Sequence, residues 1–175
     1  IEVATPEWTT RRAGLRLFRE RQIDGMLLLG TLTTDAFVDR LVKSGHPVVL
    51  VNTLLPRATA VAAENVQGAK EAVRHLAGLG HQRIGFIGGL ESTTVGFERT
   101  AGYRAGLAEA GLPFRPSYVV YGNFSEESGA AAMQTLLARR PRPTAVFAAN
   151  DMMAIGAVAA IRDAALRTPE DIAVV

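Results

Sequence analysis

Short runs of β-branched and aliphatic residues alternate along this chain with longer stretches in which apolar residues return every three or four positions. The runs at 25–29, 47–51, 84–87, 118–121, 145–148 and 172–175 predict strands, the last cut short by the end of the chain. Between them the spacing predicts helices. The first runs from a cap at Thr9 or Thr10 to about residue 21, with Leu15, Phe18 and Gln22 inward. The second has the inner stripe Phe37, Val38, Leu41 and stops at Ser44-Gly45. Further helices are expected over 65–79, with the stripe Val66, Ala69, Val73, Leu76, and over 98–110, 125–139 and 151–164. Residues 52–63 read as a loop. The last helix, with Met152, Met153, Ile155, Val158 and Ile161, is apolar almost all round and is expected to be buried on most sides.

Strands separated by helices are the pattern of βαβ units, so the expected fold class is α/β, mainly parallel sheets flanked by helices. In open sheets of this kind ligands sit beyond the carboxyl ends of the strands. That restricts the search for function to Gly30 and Thr31, Asn52, residues 88–95, residues 122–125 and residues 149–151.

Composition narrows the chemistry. The chain has 175 residues, 48% hydrophobic and 21% charged, which is enough apolar material for one substantial core or two small ones. No apolar run approaches the roughly 20 residues a membrane span needs. There is no cysteine, which removes disulfides, thiolate catalysis and zinc-thiolate sites. A formal net charge of +2 gives no case for nucleic-acid binding by this segment. Arg12, Arg16 and Arg19 form a basic stripe on the first helix that reads as a solvated face. The chain starts at Ile1 and stops at Val175 within an apolar run, and is expected to be a piece truncated at both ends.

Motifs for catalysis are missing. No strand is followed by G-x-G-x-x-G or a Walker lysine, and Gly88-Gly89 reads as a tight strand exit. His46, His75 and His81 lie in different elements, so no metal site is expected; the last two read as capping or packing residues. No G-x-S-x-G elbow occurs, and no cofactor is implied. The strand ends suit binding better. Arg99 can offer a bidentate fork, Asn52 and Asn150 can each donate and accept, and Phe124 offers a flat apolar face, a set suited to a sugar or nucleoside. Each also has a purely structural reading: Arg99 a surface ion pair, Asn52 a turn residue, Phe124 a core aromatic, Asn150 a helix cap.

Four stretches carry a resemblance. They are Gly68-Ala69 with Ala72-Val73-Arg74-His75-Leu76 and then Leu79-Gly80-His81-Gln82-Arg83-Ile84-Gly85-Phe86-Ile87-Gly88-Gly89; Glu98-Arg99-Thr100-Ala101-Gly102-Tyr103-Arg104; Gly122-Asn123-Phe124-Ser125 through Gly129; and Arg142-Pro143-Thr144 through Asn150-Asp151 to Ala157. Together with the closing Thr168-Pro169-Glu170-Asp171-Ile172, they make essentially the whole chain resemble the effector-binding part of LacI/GalR-family transcription regulators. The resemblance implies a two-lobed, periplasmic-binding-protein-like (type I) fold, with an incomplete N-terminal lobe over 1–62 and an incomplete C-terminal lobe over 63–175. It implies a sugar-like or nucleoside-like effector bound between the lobes. It further implies operator DNA bound through a helix-turn-helix domain not in this chain, a homodimer using the first helix and residues 31–43, a cytoplasmic location, no membrane and no enzymatic activity. A periplasmic sugar-binding protein of a transporter is the alternative with the same fold.

Matched position by position, the resemblance makes Arg99 the effector-contacting arginine three residues before Gly102, Phe124 the aromatic that stacks on the ligand, and Asn150 the Asn of an Asn-Asp pair lining the site. Thr93 falls in a loop that supplies further contacts, and Asn52 follows the lobe-one strand where the family more often has Asp. The sequence departs from the family pattern at Asn52, Asn123 and Glu64, the first two removing negative charges.

Overall fold

The computed structural model describes residues 13–175. They form two units, the first comprising residues up to 63 together with 92–94 and the second comprising 64–91 and 95–175. The short excursion at 92–94 is a difference from the single division at 62/63 expected from the sequence. It carries Thr93 into the first unit.

In the first unit α1 (Ala13–Arg19), β1 (Met26–Leu29), α2 (Ala36–Lys43), β2 (Val48–Val51) and β3 (Thr59–Val61) follow in order. The three strands are parallel and ordered β1-β2-β3. Helix α2 begins because the Asp35 carboxylate accepts the Phe37 N–H at 2.8 Å. Its inner residues Phe37, Val38 and Leu41 pack with Phe18, Leu28, Val48 and Leu50 into one core. The expected loop over 52–63 is partly wrong: β3 pairs with β2 from Val49↔Thr59 to Val51↔Val61. A three-residue strand bounded by Ala58 and Ala62 has too little periodicity to register in a sequence window. Gln22, expected inward, is exposed and bonded to Glu20, and Arg16 pairs with Glu20 on the outer face of α1. Thr9, Thr10 and Arg12 lie outside the described residues.

The second unit runs α3 (Asn65–Gly78), β4 (Ile84–Gly88), α4 (Thr94–Glu109, from Val95 onward), a 3-10 turn (Pro116–Tyr118), β5 (Val119–Tyr121), α5 (Glu126–Leu137), β6 (Ala145–Ala148), α6 (Asp151–Asp163) and β7 (Ala173–Val174). Its parallel sheet is ordered β5-β4-β6-β7. Every residue of β4 and β6 is buried, as a near-continuous apolar run in a parallel sheet requires. Phe86 stacks on Tyr103 at 4.8 Å and on Phe147 at 5.2 Å, and the Tyr103 hydroxyl donates to the Ile84 carbonyl at 2.8 Å. Ile87 is paired with both Val120 and Ala148, so β4, β5 and β6 end level and deliver their following loops to one place.

Three expectations are corrected here. Helix α4 begins at Thr94, a turn earlier than 98, in a stretch whose β-branched residues and glycine argue against helix locally; the Thr94 hydroxyl accepts the Leu54 N–H at 2.9 Å. The stripe of α3 starts one residue earlier than expected: Val66 is 39% exposed, while the polar Asn65 is only 6% exposed. Helix α6 is not buried on most sides. Met153, Ala157 and Ile161 are buried, whereas Met152, Ile155 and Val158 on the other side are exposed.

That asymmetry gives a direct check. Ile161, fully buried, loses about 2–5 kcal/mol of stability on Ile161→Ala. Ile155, 52% exposed, loses under about 1 kcal/mol on the same truncation, with urea midpoints at equal protein concentration as the measurement. Equal losses would place Ile155 in a packed interior.

Candidate functional site

The level ends of β4, β5 and β6 set the geometry. Just past β6, the Ala149 N–H donates to the Ile87 carbonyl at 2.9 Å, extending the sheet by one bond. The next residue, Asn150, is the N-cap of α6, and its side-chain oxygen accepts the Met153 N–H at 3.1 Å. The other end of that amide donates to the Phe124 carbonyl at 2.9 Å. A cap residue therefore also ties down the loop that follows β5.

Phe124 sits in that loop with φ +71°, the left-handed region that a bulky residue enters only under constraint. The constraints are visible. The Ser128 hydroxyl accepts the Asn123 N–H at 3.0 Å, the Asn123 side chain accepts the Ser125 N–H at 3.1 Å, and Ser125 caps α5 by accepting the Ser128 N–H at 3.2 Å. The ring lies over Gly89, where a Cβ would fall within the ring atoms, so the strand exit read from Gly88-Gly89 also makes room for an aromatic.

Arg99, half-buried one turn into α4, donates from Nε to the Asn65 side-chain oxygen at 3.0 Å and from Nη1 to the Ala149 carbonyl. Burial pushes its guanidinium below the ordinary arginine pKa, and the Asp151 carboxylate pushes it back up. These bonds use two of the five N–H donors of a guanidinium, leaving three for other acceptors. Arg99, Phe124 and Asn150 thus belong to one connected cluster in the second unit, joined through the Ala149–Asn150 backbone.

Asn52 and Thr93 belong to the first unit. Asn52 follows β2 at φ +56°, its N–H donates to the Val61 carbonyl at 2.9 Å, and its side-chain oxygen accepts the Ala63 N–H at 3.2 Å. Those contacts make it the residue that turns the chain out of β2 and holds the exit of β3. Thr93 is buried beside Thr94, and the preceding Ser92 carbonyl accepts the Thr33 hydroxyl at 2.9 Å. Of the histidines, His81 packs its ring nitrogen against the Thr144 hydroxyl at 3.0 Å. Among the described residues no three His, Asp or Glu side chains gather as a metal site, and no helix is long and apolar enough to cross a membrane.

Sequence reasoning missed Asn65 and Glu98. The signal was present in the α3 stripe, since 65, 69, 73 and 76 keep helical spacing as well as 66, 69, 73 and 76 do. A preference for an apolar residue at the inner position selected the wrong one.

A cationic fork, an aromatic ring held in a strained turn and a capping amide stand together at the carboxyl ends of the parallel sheet, and the class of domain they sit in is the periplasmic-binding-protein-like one. Residues 73–175, more than half of the chain, match the periplasmic binding protein-like domain family. The transcriptional regulator CelR of Thermobifida fusca is 38% identical over 159 residues, 89% of this chain and 47% of that protein. The transcriptional repressor CytR of Escherichia coli K12 is 38% identical over 158 residues, again 89% of this chain and 46% of the other. Among solved structures, a CelR–cellobiose complex superposes with a TM-score of 0.87 at 35% identity, covering 97% of this chain and 53% of that one. A LacI-family regulatory protein from Chloroflexus aggregans does so at 0.86 and 31% identity, covering 98% and 62%. The chain belongs to the LacI/GalR family within that class. It spans about half the length of the curated relatives it matches.

The double duty of Asn150 is testable. Asn150→Ala removes both the cap and the tie to Phe124 and costs about 1–3 kcal/mol, read from urea midpoints. Asn150→Ser keeps a capping hydroxyl, cannot span to the Phe124 carbonyl, and costs about half as much. Equal losses would show that the cap contributes nothing.

Proposed function

We propose that this chain is the ligand-sensing domain of a LacI-type DNA-binding transcriptional regulator and that it takes a small sugar-like or nucleoside-like effector. The observation that carries this reading is the Arg99–Ala149–Asn150–Phe124 cluster: three N–H donors of Arg99 remain beside an aromatic platform whose backbone is already locked. Polyhydroxylated rings bind by that combination, a fork for oxygen acceptors and a flat face for C–H groups. Asn52 and Thr93 are proposed as ligand-contacting residues of the first unit.

The effector's differential affinity for two arrangements of the protein would bias operator binding, which requires DNA-contacting residues other than those of the cluster described above. The relatives are transcriptional regulators, which favours this reading over a transport-associated sugar-binding protein of the same fold, and operator binding would place the protein in the cytoplasm. A homodimer is proposed, as an isologous pair matches the two-fold operators such regulators read.

A thermal-shift screen with sugars including cellobiose and ribose, sugar phosphates and purines tests the assignment. A ligand at 100 times its Kd stabilises the folded state by about 2.7 kcal/mol, a rise in Tm of roughly 5–10 °C for a chain of this size. Arg99→Ala removes that rise while leaving the ligand-free Tm within a few degrees. A response that survives Arg99→Ala overturns Arg99 as a contact; no response from any class overturns a sugar or nucleoside effector.

A further inference from the structure

Arg99 does not orient itself. Its Nε–H donates to the Asn65 side-chain oxygen at 3.0 Å, and the nitrogen of the same amide donates to a Glu98 carboxylate oxygen at 2.9 Å. Asn65 opens α3, whereas Glu98 and Arg99 are neighbours on α4. We infer that Asn65 is the positioning residue of Arg99, an amide relay anchored by Glu98 that fixes the plane of the guanidinium and sets which of its N–H groups are left for ligand oxygens.

The chemistry of the three groups allows one arrangement. A guanidinium only donates and an ionised carboxylate only accepts, so the amide must turn its oxygen to Arg99 and its nitrogen to Glu98. A reversed amide would set donor against donor and acceptor against acceptor. No shorter route serves the same end, because adjacent residues on a helix point in different directions, and no Glu98–Arg99 ion pair forms among the described residues. A direct bidentate pair would also occupy the fork. The neutral amide between them holds Nε from the side and leaves Nη2 and one N–H of Nη1 uncommitted.

The relay is built into the helix packing. At Gly102, one turn along α4 from Glu98, a Cβ would collide with the Val66 carbonyl and the Ala69 side chain, so α3 and α4 approach closely there. That approach keeps the first turn of α3 within bonding distance of Arg99. Asn65 is 6% exposed, so water does not replace it freely, and its loss would leave the Nε–H and a carboxylate oxygen competing for poor partners. With Nη1 tied to Ala149, two fixed points define the guanidinium plane; with one, the group rotates about the remaining bond.

This inference rests on Arg99 being a ligand contact, and its test separates the two. The Arg99 Nε–H signal is followed by nitrogen-edited NMR on the full chain. In the native protein its exchange with solvent is slow, and Asn65→Leu speeds it at least about tenfold, the scale of one lost hydrogen bond to a charged group. The pair Asn65→Asp with Glu98→Gln exchanges carboxylate and amide while keeping each donor opposite an acceptor, and restores slow exchange. Unchanged exchange in Asn65→Leu overturns the relay, as does failure of a folded swap variant to restore it. Calorimetric titration with cellobiose supplies the second reading. Affinity falls about tenfold in Asn65→Leu and falls no further when Asn65→Leu is added to Arg99→Ala. Binding lost in Arg99→Ala but untouched in Asn65→Leu overturns the positioning role. Binding untouched by Arg99→Ala overturns the functional reading alone, and the exchange measurement still decides the relay.

Discussion

The peptide of Ala149 is the constraint on which the site depends. Its N–H is bonded to the Ile87 carbonyl and so belongs to the β4–β6 ladder; its carbonyl accepts Arg99; and the residue it leads into caps α6 and holds Phe124. The position of that peptide is inherited from the register Ile87↔Ala148. A slip of one residue would turn every side chain of β6 to the opposite face, and both faces are filled. Burial of the central strands is thus what fixes the cluster, which they touch through a backbone bond, the Ile87 carbonyl to the Ala149 N–H.

Energetically the cluster is held by small terms that agree. A left-handed Phe costs about 1–3 kcal/mol. Against it stand the bonds from Asn150 to its carbonyl and from Asn123 and Ser125 on either side, each contributing about 0.5–1.5 kcal/mol net. The balance is close enough that the conformation persists only with its neighbours intact. For the platform proposed above, a ring fixed in this way would surrender little rotational freedom on ligand binding.

How far this was legible in the sequence follows from which forces act locally. The alternation of strands and helices announced both sheets because parallel strands buried on two faces must be apolar along their length. Arg99, Phe124 and Asn150 could be singled out because strand ends are where such sheets bind. Three things were not recovered. β3 is too short to show a period, and the outward face of α6 cannot be told from its inward face when both carry apolar residues. Asn65 was passed over for another reason: its spacing with 69, 73 and 76 was readable, but a preference for an apolar residue at the inner position selects Val66, and the partners of Asn65, Glu98 and Arg99, lie more than thirty positions away.

The two positions where the sequence carries Asn in place of the family's more frequent Asp can now be weighed. The Asn52 oxygen accepts the Ala63 N–H, and the Asn123 oxygen accepts the Ser125 N–H. What the backbone needs there is an acceptor, and a carboxylate would supply one equally well. The turns are therefore indifferent to the exchange, and its consequence is electrostatic. The acidic groups that the structure does bring to Arg99 are Asp151, acting through space, and Glu98, held off by the Asn65 amide. Neither forms an ion pair with Arg99, whose Nη2 and one N–H of Nη1 stay uncommitted among the described residues.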